Sequence, residues 1–219
     1  MALVADLFFS FRSPYSYLAI GRYRALAETS AVDIALRPVY PLAVRQPDFF
    51  ERNHPNWLRY LIVDVPRVAQ FHGIPFGLPR PDPIVQDIAT RAIAPEQPYI
   101  HRITRLGQAA ARHGKGLAFA HEAARLIWGG AENWHMGDHL AGAAQRAGLD
   151  LAELDAQVYE EAEALDAEIT ANQQALERAG HWGVPTLVFD AEPFFGQDRI
   201  EMAKWRMEQK GLTARQGNT

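Results

Sequence analysis

The chain has 219 residues, of which 48% are hydrophobic, 22% charged and 11% aromatic. That is an ordinary globular composition, with enough apolar residues for one large domain or a core domain carrying a sizeable insertion. The net charge of −4 gives no electrostatic grip on nucleic acid or an anionic membrane, and the absence of cysteine excludes disulfides, thiolate metal sites and catalysis by a protein thiol.

Leu3 to Phe11 is an apolar run of strand length. No basic segment precedes it and Asp6 interrupts it, so it is not a secretory signal peptide. No stretch approaches the ~18 consecutive apolar residues of a membrane span. The expectation is a cytoplasmic, full-length protein. Ser13 then suits a helix N-cap and Pro14 the first helical position, where a missing N–H costs nothing. Ala19, Ile20, Tyr23, Leu26 and Ala27 follow on one helical face. Val32 to Val39 alternates loosely, with Val32, Ile34 and Leu36 on one side, and reads as a second strand. A β-α-β unit with a parallel pair and a right-handed crossover is expected.

From Pro41 to Pro98 the chain is rich in proline and aromatics, with a helix expected around Trp57 to Phe71. From Ile100 to Ala179 it is helical and alanine-rich, punctuated at Gly114, Gly129-Gly130, Gly148 and Gly180. Met136, His139, Leu140, Ala143, Ala144 and Ala147 form one apolar stripe; Leu151, Leu154, Val158, Ala162 and Leu165 form another. Strand signals return at Thr186 to Phe189, turn at Asp190-Ala191-Glu192 and resume at Pro193 to Gly196, which reads as a hairpin. A last amphipathic helix from Asp198 to Lys210 stops at Gly211. The order β-α-β, helical block, β-β-α fits an α/β, thioredoxin-like frame with a large all-helical insertion. Residues 1–40 and 181–219 would form the frame and 41–180 the insertion.

Three local features could carry chemistry. Ser13-Pro14-Tyr15-Ser16 stands at a strand-to-helix corner, where orphan N–H groups and the helix dipole favour a negative charge; the plain reading is that Ser13 only caps the helix. Gly183-Val184-Pro185-Thr186 precedes the third strand. Its proline is either cis at a tight turn or, the commoner case, trans at the start of an edge strand. In Phe194-Phe195-Gly196-Gln197-Asp198-Arg199, Asp198 sits where an N-cap belongs and Arg199 opens the helix. That is a plain cap and surface arginine, or a polar hook for a charged ligand terminus.

In this order the three features resemble the family of 2-hydroxychromene-2-carboxylate isomerases and kappa-class glutathione transferases, thioredoxin-like relatives of the disulfide oxidoreductase DsbA. The family's strand followed by Ser-Pro-aromatic-Ser-Tyr-Leu-Ala matches Phe11 to Ala19, its Gly-Val-Pro-Thr matches Gly183 to Thr186, and its Trp/Phe-Gly-polar-Asp-Arg matches Phe195 to Arg199. A looser match joins Tyr60-Leu61-Ile62-Val63-Asp64 with Arg67, Ala69 and Gly73-Ile74-Pro75. Where the redox relatives carry Cys-Pro-x-Cys, this chain has Ser13 and Ser16, so thiol–disulfide exchange by the chain itself is excluded.

The resemblance implies glutathione as the imported sulfur cofactor. Ser13 would be catalytic, donating a hydrogen bond to the bound thiolate. Pro14, Tyr15, Val184, Pro185, Gln197, Asp198 and Arg199 would join Ser13 in binding glutathione, with the γ-glutamyl end at Gln197 and Asp198. The implied activity is cis-trans isomerisation of an aromatic 2-oxo acid in aromatic-compound catabolism, with a small aromatic substrate held by Arg45 and Asn53. Relatives often form dimers, so a homodimer is expected; neither a nucleic acid nor a membrane partner is. A kappa-like glutathione transferase and a non-catalytic thioredoxin-like binding module are the alternatives. No metal is expected: His135 and His139 have i, i+4 spacing but no third ligand is suggested, and His139 reads as a half-buried core residue. The acidic run from Glu153 to Glu168 reads as a solvated helix face.

Overall fold

The computed structural model describes residues 2–46, 54–87, 90 and 92–215. Strand β1 (Leu3–Phe9) pairs in parallel with β2 (Val32–Pro38), in register from Leu3 opposite Val32 to Phe9 opposite Pro38. Helix α1 (Pro14–Thr29) makes the crossover, as the β-α-β pattern requires. On its other side β1 runs antiparallel to β3 (Thr186–Phe189), which pairs antiparallel with β4 (Glu192–Phe195), giving the order β2-β1-β3-β4. The frame is closed by α9 (Ile200–Gln209).

The other helices are α2 (Leu42–Arg45), α3 (Pro55–His72), α4 (Pro98–Arg112), α5 (Gly116–Trp128), α6 (His139–Arg146), α7 (Leu151–Glu160) and α8 (Ala162–Arg178). Gly114, Gly148 and Gly180 end three of them with positive φ, the conformation that makes glycine a helix stop. Among the described residues, no helix is long and apolar enough to cross a membrane.

Strand β2 alternates strictly, burying Val32, Ile34, Leu36 and Pro38 and exposing Asp33, Ala35 and Arg37, because only one face meets the core. Strand β1 buries Leu7, Phe8 and Phe9 in succession, as an inner strand covered on both faces does. Helix α1 buries Tyr17, Leu18, Ala19, Ile20, Tyr23 and Leu26 between the sheet and α3, α5 and α9. Leu18, Ile20 and Leu26 each contribute about 1.5–3 kcal/mol by leaving water.

Four expectations need correction. Strand β1 stops at Phe9 rather than Phe11, because the chain turns there and the Ser13 N–H returns to the Ser10 carbonyl at 3.0 Å. Helix α9 begins at Ile200 with Arg199 as its N-cap residue, so Asp198 is not the cap. Met136 and His139 are exposed, and the buried stripe begins at Leu140; Trp134 holds the preceding turn instead, its indole buried and Nε1 donating to the Pro81 carbonyl at 2.8 Å. The acidic run is a paired seam, not merely a solvated face. Asp155 takes Arg102, Asp166 takes Arg105, and Glu161 and Glu168 take Arg112, all from α4.

Candidate active site at the strand–helix corner

Ser13 has extended backbone (φ −92°, ψ 115°), with Pro14 opening the helix. Its Oγ accepts from the Ser16 N–H at 3.2 Å, the N-cap bond the sequence predicts. The same hydroxyl donates to the Val184 carbonyl at 3.3 Å, across 171 positions of sequence. That second bond is long for an O–H donor, so little is lost when the proton is redirected to a better acceptor. Ser16 is fully buried and its Oγ has no partner among the described residues; of the two serines, Ser13 is the one that reaches the loop.

The Val184–Pro185 peptide is cis, and the strand it precedes lies between β1 and β4 rather than at an edge. Proline is tolerated here because it stands just outside the ladder, while its carbonyl still accepts from the Gly196 N–H at 2.9 Å. The loop before it is held from several sides. The Gly183 N–H donates to His181 Nδ1 at 2.9 Å, and Thr186 Oγ1 donates to the Gly183 carbonyl at 2.7 Å. His181 stacks on Phe195 with centroids 3.9 Å apart. Gly183 is required by that stack, since a Cβ there would lie 2.6 Å from the Phe195 ring.

The third feature closes the corner from α9. Gly196 has φ +110°, and a Cβ on it would lie 2.5 Å from Asp198 Oδ1, so the carboxylate is folded back over the glycine. Asp198 and Arg199 are exposed and paired with each other at 2.9 Å. Gln197 is half-buried, and both its main-chain carbonyl and its Oε1 accept from Arg22 Nη2 on α1. The tertiary fold thus gathers Ser13, Val184–Pro185 and Gln197–Asp198 at one end of the sheet.

Tyr15 is half-buried and donates to Asp64 Oδ2 of α3 at 2.7 Å. Burial, then the Asp64 bond and carboxylate charge, push its phenol well above the ordinary tyrosine value. Tyr15 therefore stays protonated and acts as a donor, not a base. Tyr17 donates to the Pro75 carbonyl, and Arg67 pairs with Asp64 at 3.5 Å. The looser motif around Tyr60 to Pro75 is thereby docked on the first turns of α1. That loose match to the family's pattern is the only sequence signal for Asp64, and it assigns no role.

Arg45 lies in this neighbourhood, but its Nε donates to the Tyr40 carbonyl at 2.7 Å and its Nη2 to the Trp182 carbonyl at 3.0 Å. It ties the segment after β2 to the loop before Pro185. Asn53 lies outside the described residues. Arg12, which the sequence did not single out, forms a bidentate pair with Asp82, with Nη2 at 2.7 Å, and sits 5.6 Å over the Trp128 ring. A cleft of about 660 Å³ between α4 and α7, lined by His101, Arg102, Arg105, Asp155 and Tyr159, includes none of these corner residues. Among the described residues, no three histidine or acidic side chains converge to hold a metal ion.

A family model described as a DSBA-like thioredoxin domain matches residues 4–208. No curated protein matches the chain by sequence. Several solved structures are similar over nearly the whole chain. A 2-hydroxychromene-2-carboxylate isomerase is 22% identical at a TM-score of 0.70, covering 95% of this chain and 96% of its own. A probable DsbA oxidoreductase from Streptomyces coelicolor is 18% identical at 0.66, covering 94% and 89%. The cytosolic disulfide reductase DsbM from Pseudomonas aeruginosa is 19% identical at 0.64, covering 95% and 99%, and is also known with GSH. At these identities the likeness is one of fold.

Proposed function

The chain belongs to the DSBA-like thioredoxin domain family, and from that premise we propose that it is a glutathione-dependent isomerase of aromatic 2-oxo acids, of the 2-hydroxychromene-2-carboxylate isomerase type. The observation that carries this reading is the Ser13 hydroxyl, standing at a helix N-terminus against the cis Val184–Pro185 peptide in a chain without cysteine. Sulfur chemistry on this frame needs an imported thiol, and the donor set suits glutathione: a hydroxyl for the sulfur, main chain at the cis-proline loop, and an amide beside a carboxylate for the γ-glutamyl end. A free thiol titrates near ~8.5, so a site that stabilises the anion raises its fraction at neutral pH.

When bound, glutathione would supply a thiolate for reversible addition to the conjugated double bond of the substrate. Ser13, which donates to the Val184 carbonyl in this structure, would donate to the sulfur instead, and the N-terminal dipole of α1 would add a favourable field. Tyr15, kept protonated by burial and by Asp64, stands as a neutral phenol beside that dipole. Arg45 steadies the loop through the Trp182 carbonyl, which orients the cis peptide against Ser13. The part-exposed rings of Trp182 and Phe195 offer flat apolar surface next to the same loop, in keeping with an aromatic substrate.

Turnover of 2-hydroxychromene-2-carboxylate, with and without glutathione, tests the reading. Isomerisation should require glutathione, and Ser13→Ala should lower it roughly ten- to a hundred-fold, the value of one hydrogen bond to a charged group. Turnover without glutathione, or an indifferent Ser13→Ala, sinks the proposal. Accumulation of a glutathione conjugate in place of the isomer makes the protein a transferase.

A further inference from the structure

Arg22 lies seven residues beyond Tyr15, on the same face of α1. It reaches across to the turn before α9, where Nη2 donates to both the Gln197 main-chain carbonyl and Gln197 Oε1. One guanidinium nitrogen carries two hydrogens, so this nitrogen is fully used. Its Nε is buried and has no partner among the described residues.

A glutamine amide has one accepting end and one donating end, whereas arginine can only donate. Pairing with Arg22 therefore settles which end of Gln197 points inward. Oε1 faces α1, and Nε2, a donor with two hydrogens, is left to face outward. The next residue in the chain is Asp198, whose carboxylate is an acceptor, folded over Gly196 through Oδ1 and paired with Arg199 through Oδ2. A donor and an anionic acceptor on consecutive residues match an α-amino acid head group, whose carboxylate needs the first and whose ammonium needs the second. With the amide turned over, two acceptors would face that carboxylate and repel it.

We propose that Arg22 is a positioning residue that holds the Gln197 amide in its donor-outward orientation, making the Gln197–Asp198 turn selective for the α-amino-carboxylate end of a γ-glutamyl thiol. The inference rests on the glutathione reading above and adds the residue that sets its selectivity. Arg22 touches neither the sulfur nor the substrate in this scheme; it acts through Gln197.

Calorimetry with two probes tests it: S-methylglutathione, and S-methylcysteinylglycine, which lacks the γ-glutamyl group. Wild type should bind the first about ten-fold more tightly, and Arg22→Met should erase most of that preference while leaving the second probe within about two-fold. Arg22→Lys should restore part of the preference. Gln197→Ala should lose it as Arg22→Met does, and adding Arg22→Met to Gln197→Ala should cost nothing more. A purely structural arginine would instead weaken both probes alike, and that result overturns the proposal. So does an equal affinity of the wild type for the two probes, or an undiminished preference in Gln197→Ala, which also decides the matter if Arg22→Met fails to fold. Wild type that binds neither probe refutes the glutathione reading and this inference with it, whereas tight binding with an indifferent Arg22 refutes the inference alone.

Discussion

His181 accepts the Gly183 N–H through Nδ1 and lies flat on Phe195, so a single imidazole shapes the loop that presents Val184. Burial lowers its pKa below the ordinary histidine value, and the accepting role requires the neutral ring. A histidine whose folded pKa is depressed stabilises the fold above its unfolded value, near ~6.5, and loses that contribution as the pH falls through the folded value. S-methylglutathione has no thiol to titrate, so its affinity isolates this effect. It should weaken several-fold as the pH falls through the depressed His181 value, which lies below the ordinary ~6.5, in buffers where circular dichroism still shows a folded protein. His181→Phe, which keeps a stacking ring but lacks the acceptor, should bind more weakly at neutral pH and show a flat profile. An unchanged profile in the variant would remove His181 from the account.

At the level of elements, the corner depends on how closely α4 approaches the end of β1. A Cβ on Gly107 would lie 2.6 Å from the Phe11 ring, which is fully buried two residues before Ser13. Glycine inside a helix costs up to ~1 kcal/mol relative to alanine, so its presence here reflects space, not propensity. Gly107→Ala should therefore destabilise the protein, by about 1–3 kcal/mol of overpacking offset in part by helix propensity. The denaturation midpoint should fall with an unchanged slope. A gain in stability would show that Phe11 can move aside and that the approach of α4 does not constrain the corner. The same helix explains why the acidic run resisted reading. Asp155, Glu161, Asp166 and Glu168 face arginines 49 to 61 residues away in sequence, and no charge pattern within α7 or α8 announces those partners.

Across the whole molecule, one continuous cluster of buried residues joins Leu7, Phe9 and Leu36 of the sheet to Ile103, Leu106, Phe119, Ile127, Leu140, Leu154 and Leu165 of the helical block. Side chains that share one core are lost together, so a single cooperative transition is expected. Trp128 and Trp134, both buried in the helical block, report its unfolding by fluorescence. Leu7→Ala, in the sheet, should lower the midpoint they report by the equivalent of about 2–5 kcal/mol. A helical block that melts at its original midpoint in this variant would mean that the two regions unfold independently. The order of elements that builds this core was legible at the outset, because strand alternation, helical spacing and glycine stops are local signals. Segment ends were less so: β1 and α9 each miss by two residues at one end, where a turn competes with continued periodicity.

What the sequence determined alone is what depends on residue type and short spacing. The chain carries no thiol, Ser13 caps the helix that Pro14 opens, and strand, helix and strand follow within forty residues. The rest belongs to contacts between residues far apart in the chain. The cis state of Pro185 and its place on an inner strand, the tether of Arg45 to Trp182, the docking of Asp64 on Tyr15 and the grip of Arg22 on Gln197 all join segments 49 to 175 positions apart, or depend on such joins. Local sterics and hydrophobic period set which elements form. Only the packing of those elements decides which donor meets which acceptor, and so what the corner can bind.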